Sequence, residues 1–279
     1  MTSAFTTRDG RVLSYERRGS GPLLVCHPGG PGGSAAEFCD FAGLDDRFEL
    51  VLLSPRGSAG SDPAGDYALA SYASDLDELR AHLGVERMDL LGFSHGGIVA
   101  MVYAFSNPER VARLVLASTI AVFDEAAQAA QEAGIAVRRG EPWFAAAERA
   151  IADEQSGEFV TAEDLVANVQ EQMPLYFHRW EGHEETGREL AADFARAQPL
   201  QYFNEHEFPT FDLRPDLRTI GDPTLVVTGE SDFICGPVCA RTIAGELGNA
   251  RLVLIPEAGH FTYLEQPDAF RSALVEFLG

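Results

Sequence analysis

Ser94 stands in Gly92-Phe93-Ser94-His95-Gly96, after the apolar run Met88-Asp89-Leu90-Leu91 and before the helix-like apolar pattern Ile98 to Tyr103. A serine between two glycines at a strand-to-helix turn is the layout of a nucleophile elbow. The turn is cramped, so a side chain at Gly92 or Gly96 would meet neighbouring backbone. It also puts Ser94 at a helix N-terminus, where free N–H groups favour developing negative charge. Acyl transfer from such a serine needs a base, and the base needs an acid to orient it.

Of the seven histidines, His260 in Glu257-Ala258-Gly259-His260-Phe261 follows the last expected strand and precedes the terminal helix. It can reach the elbow without belonging to the core. His95 is tied to the helix start, and His82 lies on a helix away from the strand ends. Asp232 in Thr228-Gly229-Glu230-Ser231-Asp232 follows the penultimate strand, giving the chain order Ser, Asp, His. Its rival is Asp124, after the strand before; Glu230 and Asp222 are weaker competitors. An oxyanion hole would use the N–H of His95, directly after the nucleophile, and one from the Gly29-Gly30 turn, with Gly30 as donor and Gly29 close to substrate.

Positioning these groups takes alternating strands and helices. Phe5 to Arg8 and Val12 to Arg17 read as antiparallel strands around Asp9-Gly10. Short apolar runs at 22–27, 48–53, 90–91, 111–117, 223–228 and 250–255 read as further strands, with helices at 69–83, 238–247 and 267–278 and Gly84 as a helix stop. Strand alternating with helix predicts an α/β fold with a mostly parallel, doubly wound sheet. Between residues 123 and 210 the rhythm turns helical, with 18 acidic residues against 6 arginines. The expected organisation is a core of residues 1–122 and 211–279 with a helical cap at 123–210.

The net charge of −22 disfavours nucleic acid and anionic membrane surfaces as partners. All 21 basic residues are arginine, so lysine nucleophiles and Schiff bases are excluded. Cys235-x-x-x-Cys239 has no second Cys/His pair at zinc spacing, so neither a metal nor any other cofactor is expected. No apolar run approaches membrane-spanning length, and the N-terminus lacks a basic region followed by an apolar segment, so a cytoplasmic location is expected. Oligomeric state is not legible.

His27-Pro28-Gly29-Gly30-Pro31-Gly32-Gly33 resembles the His-Gly-Gly-Pro-Gly-Gly signature of proline iminopeptidases, which are α/β-hydrolases of peptidase family S33. Ser54-Pro55-Arg56-Gly57-Ser58-Ala59-Gly60-Ser61 is similar to that family's Asp-x-Arg-Gly-x-Gly-x-Ser loop, and Trp180-Glu181-Gly182 to its Trp-Glu-Gly motif. The resemblance implies a cap acid that holds the substrate's free amino terminus. Glu181 would be that acid, with Trp180 or Tyr202 packing against the substrate. The chain departs from the pattern at Pro28 and Ser54, and no acid precedes Tyr202-Phe203, although Glu205 and Glu207 are near.

The leading expectation is a Ser-His-Asp hydrolase releasing an N-terminal residue, proline favoured, from small peptides or amides. An esterase or lactonase acting on a small neutral ester keeps the chemistry and changes the substrate. A non-catalytic ligand-binding member of the fold is the reading outside catalysis. An aspartate nucleophile is disfavoured because serine occupies the elbow.

Overall fold

The computed structural model describes residues 2–156, 161–194 and 196–279. Eight strands form one sheet: β1 (Thr2–Thr6), β2 (Val12–Arg18), β3 (Leu23–His27), β4 (Glu49–Ser54), β5 (Met88–Phe93), β6 (Val111–Ala117), β7 (Thr224–Gly229) and β8 (Ala250–Ile255). Their order is β1-β2-β4-β3-β5-β6-β7-β8. The β1–β2 and β2–β4 pairings are antiparallel, and every later pairing is parallel. The sheet is mostly parallel, as expected. The first strand ends two residues earlier than the sequence suggests, because Thr7 leaves the ladder to close the hairpin, its N–H donating to the Arg11 carbonyl at 2.8 Å.

The central strands read as continuous apolar runs because both faces of the sheet are covered. Successive side chains project to opposite faces. Thus Val25, Val51, Leu53 and Leu90 join the core that includes α1 (Leu69–His82) and α2 (His95–Ser106). Leu24, Cys26, Leu50, Leu52, Leu91 and Phe93 join the opposite core, with Phe38, Phe41 and the terminal helix α11 (Pro267–Leu278). The remaining core helices are α8 (Arg214–Leu217), α9 (Pro237–Glu246) and the short α10 (Thr262–Glu265).

Between β6 and β7 the described residues carry α3 (Glu125–Ala136), α4 (Phe144–Ser156), α5 (Ala162–Tyr176), α6 (Glu184–Ala192) and α7 (Gln198–Tyr202), with a further turn at Phe203–Glu207. An isolated antiparallel bridge, Val122 to Asp212, joins the chain where it leaves and where it returns. Residues 157–160 and 195 of the expected cap lie outside the described residues. Among the described residues, no helix is long and apolar enough to cross a membrane.

The chain order switches direction at the centre of the sheet, where β3 and β5 lie side by side, and α/β sheets open a crevice at the carboxyl ends of such strands. The loop after β4 is held there by a buried bidentate ion pair, Arg56 Nε and Nη2 each 2.7 Å from a carboxylate oxygen of Asp75 on α1. Removing one partner leaves the other charged and dry. Asp75→Asn should therefore cost about 3 kcal/mol or more and lower the melting temperature by roughly 10 °C, read by calorimetry. A shift within 2 °C or so of zero would show that water reaches Arg56 freely.

Candidate active site

Ser94 joins β5 to α2 with φ 52° and ψ −120°. A residue with a side chain adopts that left-handed backbone only when its surroundings demand it. Here its N–H donates to the Ala117 carbonyl at 2.9 Å, and its carbonyl accepts from Gly97 N–H at 2.9 Å and Thr119 Oγ1 at 2.7 Å. A Cβ on Gly92 would lie 2.6 Å from Gly97 Cα, and one on Gly96 would lie 2.7 Å from His27 Nδ1. Both positions therefore exclude side chains, as the spacing predicts.

His260 sits between β8 and α10. Its N–H donates to the Tyr176 carbonyl at the end of α5 at 2.7 Å, and its carbonyl accepts from Ser118 Oγ at 2.8 Å. Phe93 and Tyr176 flank the ring with centroids at 5.0 and 5.4 Å. His260 Nδ1 faces Asp232 Oδ2 at 2.9 Å, and both residues are buried. Asp232 Oδ1 accepts from the N–H groups of Ile234 at 3.0 Å and Cys235 at 2.9 Å. Burial pushes the Asp232 carboxyl up, but the charge and hydrogen bond of His260, with those two N–H groups, hold it below its usual value. An ionised Asp232 accepts a hydrogen bond from Nδ1–H, which fixes the tautomer and leaves Nε2 as the nitrogen free to accept a proton.

The competing residues have other partners. Asp124 caps α3, accepting from Ala127 N–H at 3.1 Å, and pairs with Arg214 at 3.0 Å. Asp222 pairs with Arg87 at 3.0 Å, and His82 with the Tyr15 hydroxyl at 3.1 Å. Burial depresses His27 to about 4, opposed by its bond to the Pro28 carbonyl. His95 is held well below its usual value by burial and then by His27.

Ser94, His95, Gly30 and His260 line one cavity of about 600 Å3. Apolar side chains dominate its wall, among them Ile98, Leu165, Met173 and Phe208. Gly29 does not reach it. Its N–H donates instead to the buried Glu37 carboxyl at 2.5 Å, so of the two glycines only Gly30 is on the substrate side. The three cap residues singled out from sequence also fall outside the lining. Glu181 is exposed in the turn between α5 and α6. Trp180 packs on Phe177 at 5.4 Å and covers Gly187, while Tyr202 packs against Tyr67 and His206 with centroids at 6.0 and 4.5 Å.

Two carboxyls absent from the sequence reading, Glu37 and Glu154, line the cavity instead, together with the largely exposed Glu205 noted near Tyr202-Phe203. Glu154 on α4 accepts from Gln172 Nε2 at 2.6 Å, and Gln172 is anchored through Asn168, whose Nδ2 donates to the Ala150 carbonyl at 2.7 Å. Burial raises the Glu154 carboxyl, with Gln172 opposing. A lone glutamate in a helical stretch rich in acids carries no signal of its own, because its role depends on which way α4 turns it.

The four cysteines are free thiols. Burial pushes Cys39 up to about 11 and Cys239 up to about 12 and raises Cys26 and Cys235 well above the usual thiol value, so none supplies a thiolate nucleophile near neutrality. Against the expectation of no metal-ligand grouping, the fold brings donor atoms of Asp232, Cys235 and His260 within 4.8 Å of one another. Asp232 and His260 are already bonded to each other and the Cys235 thiol keeps its proton, so a donor set of this kind does not fit a resident cation.

A proline iminopeptidase of Levilactobacillus brevis is 27% identical over 286 residues, covering 96% of this chain and 91% of that protein. A hydrolase of Pseudomonas aeruginosa PA01 of known structure is 30% identical with a TM-score of 0.73, covering 100% of this chain and 98% of the other. An esterase of Exiguobacterium antarcticum, 23% identical with a TM-score of 0.77 and coverage of 100% and 99%, shares the fold. The model of the alpha/beta hydrolase fold matches residues 22–267, from the strand before the glycine loop to the start of the terminal helix, and the chain belongs to that family.

Proposed function

We propose that this protein is a serine hydrolase of the proline iminopeptidase type, releasing an N-terminal residue, proline favoured, from short peptides or amides. Residues 1–122 and 211–279 form the catalytic core in this reading, and 123–210 form its cap. The observation that carries it is the buried His260–Asp232 bond on the cavity that Ser94 also lines. Ser94 Oγ attacks the scissile carbonyl as His260 Nε2 takes its proton. The oxyanion rests on the N–H groups of Gly30 and His95, and His260 returns the proton to the departing amine. Water, deprotonated by the same nitrogen, then hydrolyses the acyl-enzyme and regenerates Ser94.

The relative's name and the cavity's acids support a substrate with a free amine. Glu154 is the acid best suited to it. A half-buried carboxyl raised by desolvation gains from an arriving ammonium, and Gln172 holds one of its oxygens in place. One observation favours a second reading. The wall is mostly apolar and roomy, which suits a small neutral ester or lactone equally well in shape.

Ser94→Ala and His260→Ala should each lower kcat by about 10⁴- to 10⁶-fold, and the double variant should lose little more, because groups that act as one unit are not additive. Losses that multiply in the double variant would sink the pairing.

Asp232→Asn should leave melting unchanged within a few degrees and lower kcat by about 10⁴-fold through the wrong imidazole tautomer, while Asp124→Asn stays within a few-fold. The reverse ranking, measured on one substrate, moves the acid to the strand before the cap.

Glu154→Gln should reduce kcat/KM for prolyl, alanyl or leucyl arylamides by about 10²-fold and leave a neutral ester nearly untouched, whereas the exposed Glu181→Gln changes neither by more than a few-fold. Equal cleavage of free and N-acetylated substrates by the parent enzyme would end the aminopeptidase reading and leave the esterase one.

A further inference from the structure

Glu37 has a position that the reaction just described does not use. It lies in the short turn Ala35–Phe38 after the glycine loop, is 4% exposed, and lines the cavity with Ser94 and Gly30. Its Oε2 accepts the Gly29 N–H. A Cβ built on Gly29 would lie 3.1 Å from Glu37 Oε1 and 2.9 Å from Ser94 Cβ, so the carboxyl and the nucleophile flank the same point of the loop.

The turn that carries this carboxyl is fixed from several sides. Ser34 Oγ accepts from Ala36 N–H at 3.1 Å, and Ser34 is itself bonded to Asp193, its N–H at 2.6 Å and its hydroxyl at 2.5 Å. Ala35 N–H donates to Ser54 Oγ at 3.1 Å, and the Tyr263 hydroxyl donates to the Glu37 carbonyl at 2.9 Å. The side chain is held on a rigid support, next to the place where an oxyanion would form.

We infer that Glu37 is a positioning residue that works as a neutral carboxylic acid: it holds the Gly29-Gly30 turn beside Ser94, and its ionisation sets a like charge against the forming oxyanion. The inference rests on the proposed roles of Ser94 and Gly30. Burial disfavours the anion, the Asp193 carboxylate disfavours it further, and a single backbone N–H opposes them, which leaves the group at about 8. The titratable groups facing it are Asp193 from the end of α6, Tyr263 on α10, Cys39 on its own turn, and Ser94, His95 and His260 across the cavity. Burial keeps Tyr263 and Cys39 protonated well past pH 9 and keeps His95 uncharged. Glu37 is neutral below about pH 8 and charged above it, so wherever His260 is free to accept the proton the reactivity of Ser94 falls as pH rises through that value.

The test uses a neutral organophosphate, diethyl 4-nitrophenyl phosphate, so that neither substrate identity nor a titrating substrate amine enters. Ser94 Oγ displaces 4-nitrophenolate from phosphorus, its proton passing to His260, and the rate of inactivation is followed from pH 6 to 10. The parent should lose about 10-fold between pH 7 and 9.5, the size expected of one like charge at short range in a partly dry site. Glu37→Gln keeps an acceptor for Gly29 and cannot ionise, so it should abolish that descending limb while holding the rate at pH 7 near the parent's. Glu37→Ala should lower the rate by about 10²-fold at every pH, the scale of a displaced oxyanion donor, and the glutamine variant should rescue it. A carboxyl carbon resonance of Glu37 titrating near pH 8 in the parent gives a second reading, independent of any variant's folding. Persistence of the limb in Glu37→Gln, an alanine variant as reactive as the glutamine one, or a Glu37 resonance that titrates near pH 4 would each overturn the inference. Label found by mass spectrometry on a residue other than Ser94 would overturn the proposed nucleophile instead.

Discussion

The closeness of the end of β3 to the turn between β5 and α2 is the constraint on which the site depends. Gly92, Gly96 and Gly97 carry no side chains, and that lets α2 start directly against the β3 carboxyl end and Thr119. Ser94 then has nowhere to place its backbone except φ 52°. A conformation of this kind costs on the order of 1–3 kcal/mol, and it persists because β5 is locked between β3 and β6 by parallel ladders and packed on both faces. The same adjacency brings the glycine loop beside the serine. The geometry of the candidate site follows from sheet topology.

The second half of the site hangs on the far side of the sheet. Asp232 follows β7 and His260 follows β8, so the contact between the two side chains is set by a neighbouring pair of parallel strands. The helical insertion reaches in as well. The carbonyl of Tyr176, the last residue of α5, accepts the His260 N–H and its ring meets the imidazole edge-on, while a Cβ on Gly259 would lie 2.8 Å from His178 N. Glu265 ties the same region together, accepting from Gly259 N–H at 2.6 Å and His178 N–H at 2.8 Å. The insertion and the His260 loop are thereby tied together by backbone and side-chain hydrogen bonds.

The parts of this arrangement that were legible in the sequence are those fixed by short-range pattern. Apolar runs of strand length, glycines flanking a serine, and the chain order of serine, aspartate and histidine each have one structural solution, so the sheet and the Asp232–His260 pair follow. What was hidden depends on orientation. Glu181 stands in a motif that resembles a binding acid, yet the α5–α6 turn faces it to solvent. Glu154 and Gln172, separated by 18 positions on two helices, meet only because α4 and α5 pack together. Glu37 follows two alanines with no periodic signal, and its burial arises from a tight turn braced by Ser34, Ser54 and Tyr263. The sequence pattern makes Gly30 an oxyanion donor and Gly29 a substrate contact, but a carboxyl reaches Gly29 first.

Among the described residues no arginine lines the cavity, although the chain carries 21, and three glutamates do. That imbalance has a physical reading in terms of depth. Burial raises a carboxyl by disfavouring its anion, and the group resolves this either by keeping its proton or by meeting a cation. Glu37, beside the proposed oxyanion site and faced by Asp193, keeps its proton up to about pH 8, since an ammonium placed there would stand where the scissile carbonyl of the proposed reaction lies. Glu154, on the insertion and supported by a neutral amide, has an approach from the cavity and so can take the second route. On this reading one solvent effect assigns two acids to opposite protonation states during turnover: the neutral one spares the negative charge that forms at Ser94, and the ionised one holds the positive charge that arrives with the substrate. The overall charge of −22 adds a long-range bias toward cationic ligands, which salt weakens, while a half-buried carboxylate at Glu154 would act at contact and be screened less.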